Sequence, residues 1–278
     1  MQIGLHLPIS KGFGWTLKEA RRLGCDAVQI FVKNPRSWVE KEWKDDELEQ
    51  FSGLSGKIPV SAHLSYLPNI AKIDEDERNL KGFLHEASLC SQLGIDRMVV
   101  HCGSREDRAA GIKIAARAID RVLEEYPQLS ILLENSAGQG SGLGRDIPEL
   151  AAIFEAARKN ERVFLCLDTA HLFEAGYDIR KKKTIDVIMR SINLELGGDK
   201  VLLFHLNDSK TPLASNVDRH WHIGKGEIGR NAFKYIVNNK RFAHLSGILE
   251  TPKMGNMDEE NMKTMKSLLS PLVPGSLS

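Results

Sequence analysis

Residues 97–134, RMVVHCGSREDRAAGIKIAARAIDRVLEEYPQLSILLE, hold one complete round of the pattern on which this chain is built. Arg97 to His101 is a short apolar run closed by a histidine. Ile112, Ala115, Ala116, Ile119, Val122 and Leu123 then follow the i, i+3, i+4, i+7 spacing that gives a helix one apolar stripe. Ser130 to Glu134 is a second apolar run, closed by a carboxylate. Both runs are nearly continuous in apolar character, as in parallel strands covered on both faces.

The same unit recurs on either side. Ile3 to Leu7, Ala27 to Val32, Pro59 to His63, Val163 to Asp168, Val201 to His205 and Leu245 to Glu250 are further apolar runs, each followed by a helical pattern. Eight strand–helix units in about 250 residues predict an α/β fold, a single (β/α)8 TIM barrel with its active site at the C-terminal ends of the strands. Asp146-Ile147-Pro148-Glu149 opens one helix with an acidic cap and a proline in the first turn, where its missing N–H costs little. Arg180-Lys181-Lys182-Lys183 reads as a solvated helix start. No linker-like stretch divides the chain, so one domain is expected over 1–278, with a turn-rich tail at about 270–278 expected to fray.

Composition restricts the function classes. Across 278 residues, 38 Lys and Arg stand against 37 Asp and Glu, so attraction to a polyanion must come from local charge or from bound metal. The four cysteines, Cys25, Cys90, Cys102 and Cys166, form no C-x-x-C pair and read as thiols in a reducing compartment. The amino terminus lacks the charged start and apolar stretch of a signal peptide, and no run is long enough for a membrane span. A cytoplasmic protein without membrane attachment is expected.

The last residues of six consecutive strands carry the chemistry: His63, His101, Glu134, Asp168, His205 and Glu250. In a barrel these side chains converge on one rim. Carboxylates and imidazoles pressed together there must pair, shift protonation or bind cations. A lone histidine at a strand end is more often a core or surface residue than a ligand; the unbroken set of six points to metal. His171, three residues beyond Asp168, and the pair Asp218 and His220 extend it to five histidines and four carboxylates. At three or four ligands per ion, nine donors serve two or three metals, and imidazole with carboxylate and no thiolate suits zinc, with manganese or iron also compatible. The remaining histidines, His6, His85, His222 and His244, read as core or surface residues, with a place behind these ligands as the alternative for His6 at the end of the first strand. Gly224-Lys225-Gly226-Glu227-Ile228-Gly229 fits G-x-G-x-x-G but follows a polar segment instead of a strand, so a dinucleotide site is not expected there. Gly138, Gly140, Gly142 and Gly144 read as a flexible loop after Glu134.

Several stretches resemble the endonuclease IV (type 2 apurinic/apyrimidinic endonuclease) family almost end to end: Lys33-Asn34-Pro35-Arg36-Ser37-Trp38, His63-Leu64-Ser65-Tyr66-Leu67, residues 133–140, Asp168-Thr169-Ala170-His171 with Ala175-Gly176-Tyr177-Asp178, residues 205–210, and Val217-Asp218-Arg219-His220. The resemblance implies three zinc ions: His63, His101 and Glu134 at the first; Asp168, His205 and Glu250 at the second, with Glu134 as catalytic bridge; His171, Asp218 and His220 at the third. It implies hydrolysis of the phosphodiester 5′ to an abasic site in double-stranded DNA, leaving a 3′-hydroxyl and a 5′-deoxyribose phosphate, and action on blocked 3′ ends. Zinc makes water a nucleophile at neutral pH, so no side-chain nucleophile is required. One departure is Cys102, which follows His101 where the family usually has proline.

Arg36, Tyr66 and Leu67 match the family's DNA-penetrating loops, where an apolar or planar wedge fills a kinked stack. Lys33, Lys210, Arg219, Lys225 and Arg230 are expected on the same rim as phosphate contacts with salt-sensitive affinity. A monomer is expected, since one barrel presents the whole site. Two other readings compete: a metal-dependent sugar isomerase or epimerase on the same barrel, and a noncatalytic lesion-binding protein that keeps zinc for structure.

Overall fold

The structure is a computed structural model and describes residues 1–198 and 200–270. Eight strands close a parallel barrel: β1 (Gln2–His6), β2 (Ala27–Phe31), β3 (Val60–His63), β4 (Arg97–His101), β5 (Ser130–Glu134), β6 (Val163–Asp168), β7 (Val201–His205) and, after a short antiparallel pair β8 (Asp208–Ser209) and β9 (His220–Trp221), β10 (Ser246–Leu249). Each barrel strand pairs with its chain neighbours, and β10 closes the ring between β7 and β1. Outside lie α1 (Phe13–Arg22), α2 (Asp45–Ser55), α3 (Glu77–Leu93), α4 (Arg108–Glu125), α5 (Ile147–Ala156), α6 (Thr169–Glu174), α7 (Lys182–Leu196), α8 (Arg230–Val237) and α9 (Met257–Leu268).

This is the expected (β/α)8 barrel, with bounds that differ by one residue at one or both ends of the first, second, third and eighth barrel strands. The first strand runs Gln2–His6 and not Ile3–Leu7, although Leu7 N–H still donates to Gln29 O at 2.9 Å. Glu250 lies one residue beyond β10, because its N–H is taken by the Asn207 side-chain oxygen at 2.8 Å and not by a neighbouring strand. The helix opening at Asp146 forms as expected: its carboxylate accepts from Glu149 N–H, with Pro148 in the first turn. Ser270 N–H reaches Asn238 at 2.6 Å; the rest of the tail expected to fray, 271–278, lies outside the described residues. Among the described residues no helix is long and apolar enough to cross a membrane.

The core falls into two shells. Between barrel and helices, side chains such as Phe83, Ile119, Leu133 and Phe233 are fully buried, each contributing about 1.5–3 kcal/mol through removal from water. Inside the barrel a smaller layer consists of Ala27, Val99, Leu132, Cys166, Leu203 and Ile248. Side chains two residues apart on a strand share a face. The next inward layer is therefore Gln29, His101, Glu134, Asp168, His205 and Glu250, seated on an apolar floor. Gly4 lets β1 join this ring, since a Cβ there would lie 1.9 Å from Ala27 O.

The loop after β3 is fastened from outside by Glu86 on α3, which accepts from Ser65 N–H at 2.9 Å and Ser65 Oγ at 2.5 Å. Burial pushes this carboxyl up from its ordinary 4.5 to about 7, against the two bonds from Ser65. Between those values the native state keeps a proton that the unfolded chain has lost, so stability falls as pH rises from about 4.5 to 7, by roughly 3 kcal/mol in all. Glu86→Gln is expected to remove that part of the pH dependence, read as denaturant midpoints of metal-free protein at pH 5 and pH 8. Equal slopes in variant and parent would contradict it.

Candidate metal centre

The nine expected donors gather at the C-terminal mouth of the barrel. Three sets of donor atoms each lie within 4.8 Å of one another: His63, His101 and Glu134; Glu134, Asp168, His205 and Glu250; and Asp168, His171 and His220. Glu134 is shared by the first two. Its Oε2 lies 3.0 Å from the Nε2 atoms of both His63 and His101, and its Oε1 lies 2.8 Å from His205 Nδ1. Asp218 joins from the loop before β9, with Oδ1 3.4 Å from His171 Nε2 and 3.7 Å from His220 Nε2.

One detail differs from the grouping the resemblance implies. Asp168 Oδ2 stands 3.3 Å from His220 Nε2 and 3.8 Å from His205 Nδ1, so it faces the third set as well as the second. The cause is local. The other Asp168 oxygen caps α6 by accepting His171 N–H, and Asn207 donates to Oδ2 at 2.7 Å, which fixes the carboxylate between the two sets.

The histidines are oriented from behind. His63 Nδ1 faces Leu64 O at 2.7 Å, His171 Nδ1 faces Asn135 O at 2.8 Å, and His205 Nε2 faces the Gln29 side-chain oxygen at 3.0 Å. Each acceptor can take one ring N–H and turns the other nitrogen toward the carboxylates, where a bound cation would replace its proton, which is how a metal-binding histidine is oriented. Gln29 also reaches Glu250 Oε1 at 2.6 Å and His6 Nδ1 at 3.0 Å. Burial holds His6 below the usual imidazole range despite Glu250 beside it, so it sits behind the donors as a neutral ring.

The electrostatics show what the cluster requires. Burial pushes Glu134 up, but the His205 and His101 imidazoles outweigh it and hold the carboxyl well below the ordinary range. Asp168 is lowered in the same way, with His171 and His220 overcoming burial. In return His220, against the effect of burial, is raised to about 9 by Asp168. Buried carboxylates in this number need positive charge close by. Imidazole nitrogens and carboxylate oxygens gathered within 4.8 Å of one another are a donor set of the kind that suits a divalent ion such as zinc.

Two cavities meet at the centre. One, of about 1070 Å³, is bordered by His63, His220 and Glu250 and by Arg36, Tyr66 and Arg219; the other, of about 500 Å³, touches His101, His171, Asp218 and again Tyr66 and Arg219. Of the residues expected to meet DNA, Arg36, Tyr66 and Arg219 border this space, and Leu67 is half-buried and borders neither cavity. Lys33 departs from the expected phosphate-contacting rim: it borders the larger cavity but is buried, and its ammonium donates to Ser37 O at 2.7 Å, holding its own loop. Lys225 is ion-paired with Glu260 at 3.0 Å, and neither it nor Arg230 borders either cavity. Lys210 is exposed, its ammonium 4.5 Å from the centre of the Trp221 ring.

The glycine motif at 224–229 wraps a carboxylate of the protein's own. Asp208 accepts from the N–H groups of Ser209, Gly224, Gly226 and Ile228 at 2.8–3.2 Å, and a Cβ at Gly226 would lie 2.3 Å from Ser209 O. The thiol of Cys102, pushed up by burial, turns away from the donors to Glu134 O at 3.5 Å. Sequence reasoning missed Gln29, Asn135, Asn207 and Glu174. The signal for Gln29 was a polar residue inside the apolar run 27–32.

Residues 17–270 match the family model described as xylose isomerase-like TIM barrel. The chain is 41% identical over 279 residues to a protein of Chloroflexus aggregans named probable endonuclease 4, covering 96% of this chain and 98% of that one. A protein of Geotalea daltonii with the same name is 37% identical over 278 residues, covering 96% and 98%. The crystal structure of endonuclease IV from Thermus thermophilus superposes with a TM-score of 0.85 at 31% identity, covering 96% and 98%. A D-tagatose 3-epimerase-like protein superposes at 0.73 with 15% identity over 96% and 97%, a likeness of fold alone. With this identity held over nearly the whole length, the chain belongs to the endonuclease IV family of xylose isomerase-like TIM barrels.

Proposed function

We propose that this chain is a zinc-dependent DNA repair endonuclease that hydrolyses the phosphodiester 5′ to an abasic site in duplex DNA, leaving a 3′-hydroxyl and a 5′-deoxyribose phosphate. The observation that carries the reading is the gathering of five histidines and four carboxylates, with His63, His171 and His205 each tied back through one ring nitrogen, beside a cavity that two arginines border. His63, His101 and Glu134 would hold one ion, Asp168, His205 and Glu250 a second with Glu134 between them, and His171, Asp218 and His220 a third. Zinc held there supplies Lewis acidity toward the oxygens of an anionic phosphodiester.

The chain's own side chains do the rest. Arg36 and Arg219 are placed to pair with phosphates flanking the lesion and give a salt-dependent affinity. An abasic nucleotide lacks a base to stack, so it rotates out of the helix at lower cost than a normal one, and the space beside Tyr66 receives it by shape. Asp218 and His220 exceed what a sugar isomerase with at most two ions needs, and so favour the nuclease. One chain acting as a monomer in the cytoplasm suffices, and blocked 3′ ends are a second DNA substrate of the same centre.

The test is incubation of zinc-loaded protein with a duplex carrying one reduced abasic analogue, which cannot undergo β-elimination. Incision leaving a 3′ end that a polymerase extends is expected. No incision by fully loaded protein, or a blocked 3′ end, would overturn the proposal; aldose turnover in its place would assign the chain to sugar chemistry.

A further inference from the structure

The loop between β8 and β9 carries Asp218 and leads into His220, the first residue of β9, and part of its backbone is strained. Ala214 (φ 62°) and Asn216 (φ 52°) both lie in the left-handed region without being glycine, a conformation that persists where surrounding contacts over-determine it. Those contacts come from the end of α6, the helix that carries His171. Phe173 O accepts from Ala214 N–H at 3.1 Å, and Glu174 O accepts from Asn216 N–H at 3.0 Å. The Glu174 side chain, fully buried, adds a further tie: its Oε1 accepts from Ser209 Oγ at 2.7 Å, Thr211 Oγ1 at 3.2 Å and Arg219 N–H at 3.2 Å. Arg219 lies between Asp218 and His220, so this bond holds the peptide that joins two of the donors. The second Glu174 oxygen is buried with no hydrogen-bond partner among the described residues. A carboxylate half satisfied and wholly desolvated is a costly way to fill space, whereas an apolar side chain would fill it without burying a charge but leave Arg219 N–H untied.

We propose that Glu174 is a positioning residue for the third metal group: it locks the Asp218-Arg219-His220 turn in register with His171 and thereby sets the affinity of an ion it does not touch. The inference rests on reading His171, Asp218 and His220 as ligands. Partners standing behind metal ligands typically change metal affinity by about 10–100-fold when removed.

The test equilibrates the full chain, loaded with Zn2+, against graded chelator and counts the ions retained by the parent, Glu174→Gln, Glu174→Asp and Glu174→Leu. Melting of the metal-free proteins is the folding control. The parent is expected to keep three ions, and Glu174→Gln, which retains an acceptor oxygen, to stay within a few-fold of it. Glu174→Leu and Glu174→Asp are expected to release one ion at on the order of 10–100-fold less chelator, with the other two unmoved and KM for abasic duplex raised. Should the leucine variant fail to fold, the aspartate variant carries the test, since it keeps the charge and withdraws the oxygen by one methylene. Three ions released alike by parent, Asp and Leu variants would overturn the proposal and leave the ligand reading intact. A parent that never holds a third ion would overturn the ligand reading and the proposal with it.

Discussion

Glu134→Gln is expected to reduce incision of abasic duplex by on the order of 10³-fold or more, a loss comparable to removing a principal electrostatic stabiliser from an enzyme site. Glu134 is the donor shared by two of the three sets, with one oxygen facing His63 and His101 and the other facing His205. Glutamine keeps the volume but turns one oxygen into an NH2 group, which donates and cannot ligate, so whichever way the amide settles one set is left incomplete. It also removes a negative charge from a site whose other charges are arranged around it. Metal content is therefore expected to fall by at least one ion per chain, and the metal-free protein to melt below the parent's temperature, because the buried imidazoles around Glu134 lose the carboxylate that partners them. Single-turnover incision and elemental analysis of the same sample separate the two effects. A variant that keeps all its metal and cuts within tenfold of the parent would remove Glu134 from the centre of the mechanism.

The barrel was legible because its strands are covered on both faces and end in polar residues that have no business in a floor of Val99, Leu132 and Ile248. Strand ends reveal which residue types meet at the rim, and the two-residue period tells which of them point inward. Gln29 obeys that period, two residues beyond Ala27 in the inner layer, yet it was missed because it interrupts a strand and does not terminate one. Glu174 and Asn207 were invisible for another reason. Their partners, Arg219 and Asp168, lie 45 and 39 residues away, and no local pattern in the chain predicts which loop a helix end will meet. Lys33 shows the opposite error. A lysine in a loop at the rim reads as a phosphate contact, but its stem is long enough to fold inward and spend its ammonium on Ser37 O.

Replacing Tyr66 and Leu67 together with alanine is expected to weaken binding of abasic duplex by on the order of 10²-fold, with zinc content unchanged. Tyr66 is 58% exposed and borders both cavities, yet its base is held. Its ring meets Phe31 edge-on at 5.1 Å, its N–H donates to Pro35 O, and the preceding Ser65 is fastened by Glu86. A planar side chain on a fixed stalk beside the metal centre is suited to enter a helix at the gap left by a displaced nucleotide. Each base stacked on an aromatic ring is worth about 1–3 kcal/mol, and the apolar wedge offsets the cost of unstacking the step it opens. Undamaged duplex offers no such gap, so its weaker, charge-driven binding should change little and the ratio between the two should collapse. Tyr66→Phe keeps the ring and should bind nearly as the parent does, which separates the wedge from any role of the hydroxyl. Fluorescence anisotropy at one fixed salt concentration, on abasic and intact duplexes of the same sequence, reads all of these. If the double variant bound abasic duplex as tightly as the parent, or lost equal affinity for both duplexes, the loop would be a phosphate-tracking surface and lesion selectivity would have to arise inside the cavity itself.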